Sequence, residues 1–293
     1  MPSLSQSQFL ARYAITKTLL GSGGFGSVYL GSNKVDDSLV ALKVLADKDL
    51  RYMVREDGTR IPTEIAIMDR LSAPPACHGT VQMLDYSRVN GRWVIAMETE
   101  EKCLDMFEYL RQKTTVAECD ARLFIKQVLQ ILQDCHSKGV LHNDIKDENL
   151  LVYANLRVKL LDFGAGTFFD TAETDVRCTT FRGTVVYAPP EYFLYGTQDL
   201  FSSEIWTLGV LLYILLHGAH PYDEDTAHAH NRTVTFLATL SNSCRNLIQG
   251  CLALDPKKRF TIQEVANHKW MNLDHDPRLP MPETYVARGE AAN

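Results

Sequence analysis

"LLGSGGFGSVYLG", residues 19–31, decides the fold, because Gly21, Gly23 and Gly26 spell G-x-G-x-x-G and two different architectures use that spacing. A dinucleotide-binding fold opens a helix straight after the glycines and places an acidic residue about 20 positions on. Here "SVYLG" continues as strand instead. On the motif alone, a plain glycine-rich hairpin turn and a nucleotide loop both remain open. Placed between two strands, the loop suits a flap whose bare backbone lies close over phosphates, with Val28 packed beneath a base.

Working outward, "AITKTLL", "GSVYLG", "LVALKVL", "VQMLDYS" and "RWVIAME" alternate β-branched and aromatic residues and read as five strands between Ala14 and Glu98. One helix interrupts them: "IPTEIAIMDRLS" (61–72) sets apolar residues at 61, 65, 68 and 71, with Pro62 suited to a first helical turn. Beyond Glu98 the pattern turns helical. Residues 117–138 put Phe124, Val128, Ile131 and Cys135 on one stripe and stop at Gly139, which suits a left-handed cap. Further helices are expected at 104–113, 203–217, 241–252 and 261–270, and short strands near 150–153 and 158–161. The result is an α+β chain: a small β-rich lobe, the linker "ETEEKC" (98–103), a larger helical lobe, and a cleft between them where a ligand would sit.

Composition narrows the function. With 293 residues, 45% hydrophobic and 23% charged, the chain can bury two cores, and its net charge of −6 disfavours nucleic acid and mildly favours cationic partners. Seven scattered cysteines without a C-x-x-C pair suggest no disulfide framework or zinc knuckle and fit a reducing compartment, cytoplasmic or nuclear. The start, MPSLSQSQFLARY, lacks a signal-peptide pattern, so the NRT sequon at Asn231 is expected to stay unglycosylated. The longest apolar run, "WTLGVLLYILLHGA" (206–219), is shorter than a membrane span and reads as a buried helix, so no membrane partner is expected. The histidines of "HGAHPYDEDTAHAH" (217–230) resemble a metal-binding tract, but they lie far from the nucleotide motifs and read as a surface loop.

Chemistry gathers in three places. Lys43, in "VALK", sits among apolar strand residues, where a buried ammonium needs a partner unless it lies on an edge facing solvent. Glu64, on the one helix of the small lobe, can supply that partner and fix the ammonium for the α- and β-phosphates of a nucleotide. "VLHNDIKDENLLV" (140–152) then offers Asp144, Lys146 and Asn149, and "LLDFG" offers Asp162. A polar surface turn could hold any one of these. Together they supply what phosphoryl transfer needs: a carboxylate for a hydroxyl proton, an amide oxygen and a carboxylate for Mg²⁺, and a cation for the moving phosphoryl group.

In their order, "GSGGFGSV", "VALK", "HNDIKDEN", "DFG" and "APPE" resemble the eukaryotic protein kinases over about residues 12–271. The resemblance implies a two-lobed fold with an N-lobe at 12–97, a hinge at 98–103 and a C-lobe at 104–271, flanked by tails at 1–11 and 272–293. It makes Lys43 the phosphate anchor, Glu64 its helix partner, Asp144 the catalytic base, Lys146 a γ-phosphate contact, and Asn149 and Asp162 the Mg²⁺ ligands. ATP is implied to contact Leu20, Gly21, Ser22, Gly23, Gly24, Phe25, Gly26, Val28, Ala41, Lys43, Met97, Glu98, Glu100 and Leu151. Lys146 within "DIKDEN" resembles serine/threonine rather than tyrosine kinases, and Glu191 with Arg259 resembles the family's large-lobe ion pair. Glu204 stands where most kinases have Asp.

Several stretches, among them "EDGTRIPTEI", "FRGTVVYAPPEY" and "CLALDPKKR", are similar to the PIM subfamily. That likeness implies basic Ser/Thr substrates and activity without activation-loop phosphorylation, and nothing in the sequence demands more than a monomer. Substrate contacts would come from Asp105, Glu108, Asp147, Glu148 and Thr184, with "YDED" (222–225) a further acidic group; the alternative is that these are solvated surface charges.

Two positions depart from the pattern. Glu100 replaces the PIM hinge proline and brings back a backbone N–H, so two hinge hydrogen bonds to adenine are expected, with Met97 guarding the pocket behind. Asn143 replaces the Arg of His-Arg-Asp, which in many kinases grips a phosphorylated activation loop, so phosphate on Thr179, Thr180 or Thr184 would not act through that pairing; Arg177 and Arg182 are the candidate substitutes. Asn143 and the missing proline also leave open a pseudokinase scaffold without turnover.

Overall fold

In the computed structural model, which describes residues 3–48, 50–100, 102–222 and 234–273, the five strand-like runs form one antiparallel sheet. Its strands are β1 (Tyr13–Gly23), β2 (Gly26–Asn33), β3 (Leu39–Leu45), β6 (Met83–Val89) and β7 (Arg92–Glu98), in the spatial order β1-β2-β3-β7-β6. Period two along β3 explains its layering. Ala41 and Leu45 join the core that α2 (Thr63–Ser72) covers, whereas Val40 and Leu42 join Val94 and Ala96 on the opposite face.

That outer apolar face needs a cover, and residues expected to be a tail supply it. Helix α1 (Gln6–Arg12) starts in a capping box at Ser5, buries Phe9, and is pinned where Arg12 and the Tyr13 hydroxyl both reach Asp85. Leu4 bridges to Ser87. The 1–11 tail is therefore corrected: from Leu4 onward it is part of the small lobe. A hairpin of β4 (Tyr52–Val54) and β5 (Arg60–Pro62) also lay outside the sequence reading, since each strand is three residues long and shows no readable alternation. Pro62 ends β5, so α2 begins one residue later, at Thr63.

The larger lobe follows β8 (Cys103–Asp105). Helices α3 (Met106–Lys113) and α4 (Glu118–Ser137) precede β9 (Val140–Leu141), β10 (Leu150–Tyr153) and β11 (Val158–Leu160). Gly139 adopts φ +69° after α4, and a side chain there would strike the Phe169 carbonyl. Then come β12 (Thr167–Phe168), β13 (Arg177–Cys178), α5 (Pro190–Tyr195), β14 (Gln198–Asp199), α6 (Leu200–His217), α7 (Asn242–Cys251) and α8 (Ile262–Asn267).

Helix α6 is apolar nearly all round and buried from Ser203 to Leu216, as a helix through the middle of a lobe must be. Among the described residues it alone has the length and hydropathy of a membrane span, and most of its surface is covered by the protein itself. All seven cysteines are free thiols. His228, His230, the acidic residues 223–225, the Asn231 sequon and positions 274–293 lie outside the described residues.

Candidate active site

The phosphate-flap residues stay in strand. Gly21 pairs with Val28, Ser22 with Ser27 and Gly23 with Gly26, so Gly24 and Phe25 form the turn. Gly26 has φ +142°, and a Cβ there would collide with the Val44 carbonyl, which accounts for glycine at the third position of the motif. Leu20 is half exposed on the flap. Phe25 reaches down so far that a Cβ on Gly164 would run into its ring, which lies 6.0 Å from the Lys43 ammonium. Ala41 pairs with Met97 across β3 and β7, and Leu151 lies on β10 beneath the hinge.

At the hinge, the Glu98 N–H donates to the Gln82 carbonyl, while its carboxylate takes Lys159 and the Gln82 N–H. Glu100 pairs with Arg157 at 2.8 Å through its exposed side chain. The Glu100 N–H has no acceptor among the described residues.

Lys43 is the hub. Its Nζ is 2.6 Å from Glu64 and 2.9 Å from Asp162, and the ammonium is almost fully buried. Burial works against its charge, but the two carboxylates outweigh it and hold Lys43 above its ordinary value. Burial pushes the Glu64 carboxyl up to about 7 despite Lys43. Asp162 is only partly exposed, and desolvation works against its charge, yet Lys43 and the Gly164 N–H bring it below the usual carboxylate range.

Across the cleft, Asp144 accepts the Thr184 N–H at 2.8 Å on one oxygen and the Asn149 amide at 3.0 Å on the other, with Lys146 Nζ at 4.0 Å. Lys146 also bonds Glu148. Because the Asn149 amide nitrogen is committed to Asp144, its oxygen is left free, as is the second oxygen of Asp162. Two free hard oxygens suit a Mg²⁺ ion that draws its other ligands from phosphates and water. No cluster of three His, Cys, Asp or Glu that could hold a metal alone exists among the described residues.

The catalytic loop hangs from α6. Glu204, 2% exposed, accepts the His142 and Asn143 N–H groups at 2.6 and 3.2 Å and binds His136 Nε2 at 2.7 Å. Burial raises its carboxyl, but His136 and these donors outweigh that and leave it lowered. Sequence marked Glu204 only as a departure. Its partner His136 was not legible, because the two are 68 residues apart.

Asn143 adopts φ +63°, a left-handed backbone in which Asn is several-fold enriched. Its amide donates to the Ala165 carbonyl at 3.3 Å. Its buried oxygen has no hydrogen-bond partner among the described residues, and Asn143 lines a cavity of about 40 Å³ with Cys178, Thr180 and Arg182. Arg182 is thus beside Asn143, whereas Arg177 is exposed and pairs with Asp175.

The acidic residues assigned to substrate divide. Asp147, Glu148 and Thr184 line one groove of about 390 Å³ together with Phe107, Tyr187 and His220. Within it Asp147 is buried, bonded to the Tyr187 hydroxyl at 2.9 Å and raised above the carboxylate range, by burial first. Asp105 and Glu108 are not among the groove's lining residues. Asp105 caps α3 by accepting the Glu108 N–H, and Glu108 pairs with Arg111. Through one carboxylate oxygen Asp105 thus serves as the cap of α3.

Residues 14–271 match the protein kinase domain family. Over 262 residues the chain is 38% identical to serine/threonine-protein kinase pim-2 of Danio rerio, covering 86% of this chain and 83% of that protein. It is 32% identical over 269 residues to serine/threonine-protein kinase prk-2 of Caenorhabditis elegans, covering 90% of this chain and 59% of that one. Serine/threonine-protein kinase SIK2 of Gallus gallus is 32% identical over 267 residues, which cover 89% of this chain and 32% of that protein.

Proposed function

Since the chain belongs to the protein kinase family and is a PIM-like serine/threonine protein kinase, we propose that it transfers the γ-phosphoryl of Mg·ATP to Ser or Thr hydroxyls in Arg- and Lys-rich segments, without needing phosphate on its activation loop. The observation that carries this reading is the Lys43–Glu64–Asp162 cluster standing assembled across the cleft from Asp144. Lys43 is then fixed to orient the α- and β-phosphates. Asp144, its carboxylate aimed by Thr184 and Asn149, takes the proton as the substrate oxygen bonds to the γ-phosphorus and the bond to the β-phosphate oxygen breaks, releasing ADP. Lys146, whose Nζ lies 4.0 Å from the Asp144 carboxylate, compensates the charge on the moving group. Mg²⁺, held by Asn149 and Asp162, would neutralise phosphate charge.

Acidic side chains at Asp147 and Glu148 support the preference for basic substrates. Seven free thiols support a reducing, cytoplasmic or nuclear place of action. The test is Mg²⁺-dependent transfer from ATP to an Arg-rich Ser/Thr peptide by wild type, Lys43→Met and Asp144→Asn. Transfer by wild type alone supports the proposal; nucleotide binding without transfer by wild type would identify a scaffold.

A further inference from the structure

Arg51 was not among the residues the sequence singled out, and it lies in the connection between β3 and β4. Its half-buried guanidinium meets three oxygens of one four-residue stretch: Nη2 donates to the Gly164 carbonyl at 3.1 Å and to the Gly166 carbonyl, and Nη1 to Thr167 Oγ1 at 3.2 Å. The carbonyl between them, on Ala165, takes the Asn143 amide. Three successive carbonyls after Asp162 are thus held by protein donors.

The same residue reaches the other side of the cluster. The Arg51 carbonyl accepts the Thr63 N–H at 2.9 Å, the first residue of α2 and the neighbour of Glu64. The clamped stretch is also packed tightly on that helix, since a Cβ on Gly166 would come within 2.8 Å of Ile67 Cδ1. Asp162 in turn depends on the stretch, through the Gly164 N–H at 3.0 Å. A chain of contacts therefore runs from Asp162 through Gly164 to Arg51, on to α2 and Glu64, and back through Lys43 to Asp162.

We infer that Arg51 is a positioning residue for phosphoryl transfer: it ties the backbone that aims Asp162 to the helix that aims Glu64, and so assembles the site on an unphosphorylated chain. This rests on the proposed kinase activity and supplies a physical basis for independence from loop phosphate. The fork geometry matters, because a guanidinium bridges several acceptors at fixed angles and an ammonium acts as a point charge. Arg182 is near enough to oppose the Arg51 charge and shares a cavity with Thr180, so a phosphate on Thr180 is the competing way to order this region.

The experiment uses phosphatase-treated full-length protein as wild type, Arg51→Met, Arg51→Lys and, as a control, Arg177→Ala. Arg51→Met is expected to lower kcat by about tenfold or more, since a shift near 1 Å in a reacting group can cost about 100-fold. It should also raise the free Mg²⁺ needed for half-maximal rate, while binding of Mg²⁺-free ADP changes by less than about threefold. Arg51→Lys should recover part of kcat, and Arg177→Ala should match wild type. Amide exchange at residues 164–168 should speed up in Arg51→Met relative to amides of α6, a readout that needs no turnover. Unchanged kcat, Mg²⁺ dependence and exchange in Arg51→Met overturn the inference, as does wild-type activity that collapses on phosphatase treatment. Absence of transfer by untreated wild type would instead defeat the kinase reading, and the exchange measurement would still decide whether Arg51 holds the segment.

Discussion

Lys43–Glu64 and Arg259–Glu191 are both ion pairs almost closed to water, yet they are built differently. Arg259 meets Glu191 with two parallel bonds of 2.7 and 2.8 Å, gives its remaining donors to Ser202 and the Ala253 carbonyl, and stacks 5.0 Å over Trp206. Every donor has an acceptor, which is what a buried guanidinium requires. Lys43 instead divides one ammonium between two carboxylates, and burial leaves Glu64 close to taking up a proton. One pair is saturated and serves to lock the large lobe. The other is under-satisfied, and phosphate oxygens would be welcome there.

The comparison breaks most visibly in turnover. Asp144→Asn and Lys43→Met should each lower kcat by about 10²–10⁴-fold, with thermal unfolding close to wild type, as read by peptide phosphorylation and circular dichroism. Arg259→Ala should do the reverse: it strands a buried carboxylate and costs about 3–5 kcal/mol in urea unfolding, with turnover retained by whatever fraction remains folded. Lys43→Met costs less stability, because Glu64 can relieve its own charge by binding a proton.

Titration sharpens the difference. The Glu64 carboxyl is raised from 4.5 to about 7, so the folded chain holds that proton more tightly than the unfolded chain, and the group's stabilising contribution is full below about 4.5 and lost as pH rises through about 7. Asp162 is lowered, so its contribution is present above its ordinary value and lost as pH falls below it. As Glu64 ionises it completes the pair with Lys43, so kcat/KM should climb with pH through neutrality, and Glu64→Gln should flatten that climb. The smallest effect is expected at the hinge. Glu100→Pro removes one N–H and should weaken adenosine nucleotide binding by up to ~1 kcal/mol by calorimetry, since the exposed pair with Arg157 adds little.

The α+β class, the five-stranded sheet and the family were legible because period two, period 3.6 and ordered short motifs are local signals. Lys43 with Glu64 could be matched because an apolar strand demands a carboxylate and the small lobe was expected to have one helix. Arg51, His136 and Asp85 could not be found this way. Each is one polar residue in an unremarkable setting whose partner lies far along the chain: Thr167 for Arg51, Glu204 for His136, Tyr13 for Asp85. Asp105 shows another limit, since an acidic residue before a helix start serves as its cap whatever else it contacts.

The docking of α1 matters for handling the protein. A shortened chain beginning at residue 14, where the family match starts, would lay bare Val40, Leu42, Val94 and Ala96 as an apolar patch on the back of the sheet. Such a fragment would be prone to stick to itself, and its poor solubility would reflect the missing helix rather than any tendency of the intact protein to associate.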